Sequence, residues 1–262
     1  MSDETPQKPG RKPKIPHRRG GSLVADGFAI CWSICWHRGI RLVCRWIFRA
    51  LGLGIIISIL VVVFLRFVNP HLTPYFMAER MRLGAVDRDW TPIEGFSKHM
   101  PRAMVAAEDA NFCTHFGFDL NAIKAALSDD SRLRGGSTIS QQVAKNVFLW
   151  QGRTWVRKGI EVWFTMLIEL FWPKQRIVEV YLNIAETGEG VFGAAAAGRH
   201  YFRVEPDKLT LNQAARIAAI LPSPKKHSAA RPANITRRRA RQIASGAETI
   251  AADGRATCFE TG

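Results

Sequence analysis

Acidic side chains are scarce: 22 Asp and Glu stand against 37 Lys and Arg in 262 residues, a net charge of +15. That imbalance favours an anionic partner, whether phosphate, nucleic acid or a membrane surface, and does not choose among them. Cysteine is sparse as well. Cys31, Cys35, Cys44, Cys113 and Cys258 form no CxxC pair and leave an odd count, so they read as isolated thiols rather than a zinc site or a disulfide framework. The order GxxxxGK[ST] is missing, which excludes a P-loop. No internal repeat and no convincing run of alternating strands is found. The first 22 residues have almost no large apolar side chains and are rich in Pro, Gly, Lys and Arg, so they cannot bury enough surface to offset ordering entropy and are expected to be disordered.

One long apolar run is present, ALGLGIIISILVVVFLRFV from Ala50 to Val68, close to the ~20 residues that a helix needs to cross a hydrocarbon core. Its single charge, Arg66, lies near the end, where a long side chain can snorkel. A run starting some fifty residues in, without a small-residue cleavage pattern after it, reads as an anchor rather than a cleaved signal. Residues 1–49 carry ten Lys and Arg against Asp3, Glu4 and Asp26. The positive-inside rule then places the N-terminus in the cytoplasm and everything after Asn69 outside, on a single-pass membrane protein. Between Ala29 and Arg49, Arg38, Arg41, Arg45 and Arg49 recur with Trp32, Trp36, Trp46 and Phe48, a pattern that suits an anionic membrane surface and equally a solvated basic flank. The expected layout is a basic segment over 1–47, a span over 48–68, a domain over 69–224 and a basic tail over 225–262.

Beyond residue 90, apolar residues recur at three and four, as in Ile93, Phe96, Met100, Met104 and Ala107, so the domain is expected to be mainly α. Helices are expected from Asp119 through Ile123, Ala126 and Leu127, over 155–172 until Pro173, and over 175–185, 192–201 and 211–221. The tail, with Arg237 to Arg239, lacks a clear apolar face.

Three segments carry chemistry. EDANFCTHFGFD (Glu108–Asp119) puts two carboxylates at the end of an apolar helical pattern, where burial can raise a carboxyl pKa toward proton transfer; an exposed helix end is the plain alternative. GGSTISQQVAKN (Gly135–Asn146) offers Ser137, Thr138, Gln141 and Gln142 as uncharged groups suited to sugar hydroxyls and phosphate oxygens, or merely a Thr-capped helix. Arg153, Arg157 and Glu161 repeat every four residues with Lys158 adjacent, which is either an exposed ion-pair array worth about 0.3–0.5 kcal/mol per pair or a phosphate clamp beside a second acid.

In this order the segments resemble the five motifs of the family 51 glycosyltransferases, the peptidoglycan transglycosylases: EDANFCTHFGFD, GGSTISQQVAKN, RKGIE, RIVEVYLN and GEGVFGAAAAGRHYF, continuing through KLTLNQAARIAAILPSP. The likeness covers roughly residues 93–224. With 38 residues after Pro224 leaving no room for a transpeptidase domain, it is to the monofunctional biosynthetic members. The resemblance implies a lysozyme-like helical glycosyltransferase domain with a larger lobe and a smaller membrane-facing one. It implies lipid II as substrate, a disaccharide-peptide joined through pyrophosphate to a polyprenyl chain. Glu108 is then the base on the acceptor's GlcNAc 4-hydroxyl. Glu161 is the second acid, which orients Lys158 and Arg157, assists pyrophosphate departure or helps place a divalent cation such as Mg or Mn. Lys145, Arg153, Arg157 and Lys158 are the pyrophosphate contacts.

On the same resemblance, Ser137, Thr138, Gln141 and Gln142 position donor or acceptor, while Asp109, Phe112, His115, Gly117 and Asp119 shape the first motif and Tyr181, Asn183 and Phe202 serve packing. Expected partners are the growing lipid-linked glycan, the membrane, and transpeptidases and other wall-synthesis proteins, with no nucleic acid. Gln213 departs from the family's acidic residue at that position. Two rivals stand beside this reading: a lysozyme-like enzyme that cleaves peptidoglycan, since a glutamate in a sugar cleft serves both, and an inactive membrane scaffold.

Overall fold

The computed structural model describes residues 23–121, 124, 136–152 and 154–260, with side chains from residue 41 onward. The expected disorder of the first 22 residues, the helix through Ile123, Ala126 and Leu127, the role of Arg153, and the side chains of Trp32, Trp36 and Arg38 lie outside the described residues. The chain divides between Ile55 and Ile56 into two compact units.

Helix α1 (Leu23–Phe67) contains the stretch Arg41–Phe67, long and apolar enough to cross a membrane. Only 6% of its apolar window is buried, whereas the core helix of a water-soluble domain would be mostly covered by protein. The turns after Ile56 belong to the second unit. There Val62 is fully buried, Trp163 Nε1 donates to Ser58 Oγ at 3.1 Å and Trp172 Nε1 donates to the Val62 carbonyl at 2.7 Å. Arg66, expected to reach for headgroups, instead donates to the Phe171 carbonyl at 2.9 Å.

Eight helices follow among the described residues: α2 (Pro74–Leu83), α3 (His99–Glu108), α4 (Ile139–Phe148), α5 (Trp155–Phe171), α6 (Lys174–Ile184), α7 (Ala194–Phe202), α8 (Leu211–Ile220) and α9 (Asn234–Ala252). Their ends follow local chemistry. Thr73, Thr138, Thr154 and Thr210 accept from backbone N–H groups of the first turns they precede, and Pro173 ends the α5 pattern. Gln213, the family departure, closes a capping box with Thr210, a position where Gln serves as well as Glu. The mainly helical class expected from sequence, with one apolar helix ahead of the domain, is the one observed.

A small sheet was not expected. β1 (Asp87–Arg88), β2 (Glu186–Gly188) and β3 (Val191–Phe192) pair in the order β1-β3-β2, with β1 parallel to β3 and β2 antiparallel to it. Strands of two or three residues are too short to show a period of two. Two further expectations are corrected. Cys113 and Cys258 form a disulfide rather than standing as isolated thiols. The C-terminal segment is part of the fold rather than a tail: α9 buries Ala240, Ile243, Ala247 and Ile250 against α3 and α8, and Arg102 pairs with Glu260. The apolar face had been hidden by alanines, which carry little hydrophobic signal yet pack helices closely.

Candidate functional site

Glu108 is the last residue of α3, so its carboxylate leaves a buried helix at its open end. Helix α4 runs beside it and brings Gln142, whose Nε2 donates to Glu108 Oε2 at 3.0 Å. Tyr181 of α6, buried, donates its hydroxyl to Gln142 Oε1 at 3.2 Å and so fixes which way the amide points. Arg239 of α9 approaches Glu108 Oε1 at 3.5 Å. Burial raises the Glu108 pKa above the usual carboxylate value; Gln142, Arg239 and Lys145 oppose the shift, and Asp109 adds to it. The raised pKa makes this carboxylate more basic than an exposed glutamate.

The rest of the first motif builds the wall. Asp109 Oδ2 accepts from Ile139 N at 3.1 Å, at the N-terminus of α4, and Oδ1 meets His115 Nε2 at 2.8 Å. Phe112 is core, with Lys174 Nζ 4.2 Å from its ring centroid. Asp119 Oδ2 accepts from Asn111 Nδ2 at 3.2 Å. Gly117 sits at φ +75, and its carbonyl accepts from Thr138 Oγ1 at 2.6 Å. A Cβ there would meet Thr165 Cγ2 at 2.9 Å and Glu169 Cγ at 3.1 Å. Gly117→Ala is expected to cost about 1–3 kcal/mol from the strained backbone and the clash, read as a lower melting temperature; an unchanged melt would show that the turn relaxes freely.

Helix α5 presents the other acid of the sequence reading. Glu161 is 3% exposed, with Oε2 accepting from Arg157 Nη1 at 2.6 Å and Oε1 from Lys158 Nζ. Burial leads in lowering the Lys145 pKa; Glu161 and Glu108 favour its charge, while Arg157 and Lys158 oppose it. Ser137, Gln141, Gln142, Lys145, Arg157, Lys158 and Glu161 line one chamber of about 560 Å³. Gln142, Lys145 and Gln151 also line an adjoining chamber of about 330 Å³, together with Tyr75, Tyr181, Glu186 and Lys225. The two chambers meet at Gln142, Lys145 and Gln151.

Not every expected contact faces this space equally. The Thr138 hydroxyl is buried between Gly117 and the α4 N-terminus, and Gln141 Oε1 accepts from Thr138 N at 3.0 Å, so this pair caps the helix, while Gln141 also lines the chamber beside Ser137 and Gln142. Asn183 is buried and bonded to both the N–H and the carbonyl of Thr91, a packing role. The sequence reading missed Arg239; its triple-arginine run was visible, but nothing local aims it at residue 108. No group of three or more His, Cys, Asp or Glu able to hold a metal is present among the described residues. The carboxylates at hand are already engaged, Glu161 by two cations, Glu108 by Gln142 and Arg239, and Asp109 by His115 and a backbone N–H. They do not compose a divalent-metal cage of protein ligands.

Helix α5 has an inverted polarity. Arg157, Glu161, Thr165 and Glu169, at four-residue spacing, are buried, whereas Trp155 (92% exposed), Val162, Trp163, Met166 and Leu170 are exposed. A water-facing helix shows the opposite arrangement. The exposed apolar face continues at Trp163 onto Ser58 of the apolar helix.

The transglycosylase family profile matches residues 77–247. Three relatives called biosynthetic peptidoglycan transglycosylase are similar to this chain. The protein from Jannaschia sp. is 50% identical over 82% of this chain and 90% of its own length, and that from Caulobacter vibrioides 45% identical over 84% and 98%. That from Pseudomonas entomophila is 52% identical over 67% and 78%. With a family profile that covers most of the chain, Glu108 and Glu161 included, and relatives about half identical over most of their length, the chain belongs to the transglycosylase family of the biosynthetic peptidoglycan enzymes.

Proposed function

We propose that the protein polymerises glycan strands from lipid II. Glu108 takes the proton of the acceptor's GlcNAc 4-hydroxyl, the oxygen attacks the donor MurNAc C1, and the α linkage is replaced by a β-1,4 bond as polyprenyl pyrophosphate departs. Lys145, Arg157 and Lys158 stand where the leaving group's charge develops, and Glu161 holds two of these cations in place. The observation that carries this reading is a pair of unlike carboxylates: Glu108, with a raised pKa and bonded to Gln142, and Glu161, already paired with two cations, with Gln142 and Glu161 lining one chamber. A cleaving enzyme has no need of those cations.

The inverted α5 suits a substrate with a lipid tail, since its exposed apolar face can lie at the bilayer while Arg157 and Lys158 meet the pyrophosphate. An extracytoplasmic domain is supported by the basic residues ahead of the span and, independently, by the Cys113–Cys258 disulfide, a bond that persists in oxidising compartments.

The full chain in detergent, given lipid II, is expected to make long glycans. Release of fragments from preformed peptidoglycan without polymer formation would establish the cleaving alternative. Running the assay with and without Mg or Mn decides whether a divalent cation, carried by the substrate pyrophosphate rather than by a protein cage, takes part.

A further inference from the structure

The arginine run of α9 has two faces. Residues two apart on a helix point to nearly opposite sides, while residues four apart share a side. Arg239 turns toward Glu108, and Arg237 and Arg241 turn away from it. On that far side they join Arg216 of α8 and Arg231 of the connection between the two helices around a cleft of about 670 Å³, floored by Ala240 and Ala244. No carboxylate lines it, and among the described residues none of the four arginines makes an ion pair.

Their neutral contacts leave the charge uncompensated. Arg216 donates Nη2 to the Ala230 carbonyl and packs over the Phe202 ring at 5.0 Å, but its Nε is buried without a hydrogen-bond partner. Arg237 Nε donates to the Pro232 carbonyl at 3.2 Å. Burial, and then the charge of Arg237, push the Arg216 pKa down. Like charges converging on one concavity destabilise each other, and a multivalent anion relieves that repulsion.

We propose that this cleft is a second anion site, separate from the catalytic one, and that it takes a phosphate-bearing ligand. The guanidinium groups come from three chain segments and so approach from different sides. A tetrahedral phosphate offers oxygens in several directions to such forks, whereas a planar carboxylate offers two in one plane. The phosphate is supplied either by the headgroup of an anionic lipid or by a free phosphate compound.

The test uses the full chain in detergent with Lys145→Gln, Arg157→Gln and Lys158→Gln, which removes the three cations assigned to the catalytic leaving group. Titration with inorganic pyrophosphate is expected to show saturable binding that weakens at least 10-fold in a further Arg237→Gln/Arg241→Gln variant, with an unchanged thermal melt. Arg241→Glu, at an exposed position, gives an independent reading in the same direction. Nanodiscs of phosphatidylglycerol, compared with phosphatidylcholine, separate the sources: loss of pyrophosphate binding in the anionic discs assigns the site to lipid headgroups, and equal binding in both assigns it to free phosphate. Absence of saturable binding in the background lacking those three cations, or binding indifferent to the Arg237 and Arg241 substitutions, overturns the proposal.

Discussion

Glu108→Gln is expected to lower lipid II polymerisation by ~10²–10⁴-fold, the contribution typical of a positioned general base, without lowering the melting temperature at pH 7. The sign of the stability effect follows from the pKa. Burial raises the folded-state pKa above the unfolded one, so the folded state holds the proton more tightly than the unfolded chain does. Stability from this group is present at acid pH and is lost as pH rises from the unfolded value through the folded one. At neutral pH the ionised carboxylate is therefore a burden on the fold, which an uncharged isostere lifts.

Activity runs the other way with pH, because a base must be ionised. The rate is expected to rise with pH through the raised Glu108 pKa. Arg239→Ala removes one of the influences holding that pKa down, and so should shift the acid limb of the profile to higher pH. Near-parental polymerisation by Glu108→Gln would remove this residue from the mechanism, and an acid limb unmoved by Arg239→Ala would leave Arg239 a packing residue.

The second large effect is expected from the disulfide. Cys113 and Cys258 are 145 residues apart, and a native bridge of this kind typically contributes about 2–5 kcal/mol. For a domain of this size the double Cys113→Ser/Cys258→Ser variant should melt roughly 5–15 °C lower. The bridge fastens the C-terminal segment to the loop just after Glu108, so α9 should loosen and Arg239 should withdraw. Activity then falls together with a shift of the acid limb, which simple partial unfolding would not produce. Dithiothreitol should reproduce the effect on the parent and add nothing to the variant. Equal melts for parent and variant would show that Arg102–Glu260 and the α9 packing hold the segment unaided.

The helices were legible where a capping threonine or a proline marked an end, as at Thr154 and Pro173, and where large apolar residues carried the period, as in α5. The first-motif and second-motif residues were legible as a set because they are contiguous in sequence. What escaped was long-range. A cystine separated by 145 residues leaves no local trace, and an odd cysteine count pointed away from it. Alanine-based packing concealed the inner face of α9, and with it the approach of Arg239 to Glu108. The sequence left Thr138 and Gln141 open between a helix cap and a ligand contact because both draw on the same hydroxyl and amide chemistry; the structure shows the cap, with Gln141 also lining the chamber.

The last turns of α1 bear on how the protein can be cut. Val62 contributes to the hydrophobic core, its carbonyl receives the Trp172 indole, and Ser58 receives that of Trp163. A truncation at residue 69, the obvious place to discard a membrane anchor, would open a hole in the catalytic unit, strand the Trp172 indole N–H without its partner and unseat Arg66 from the end of α5. Severing the tether without wounding the enzyme means cutting at or before Ile56, and the remaining piece would still need detergent for the exposed tryptophans of α5.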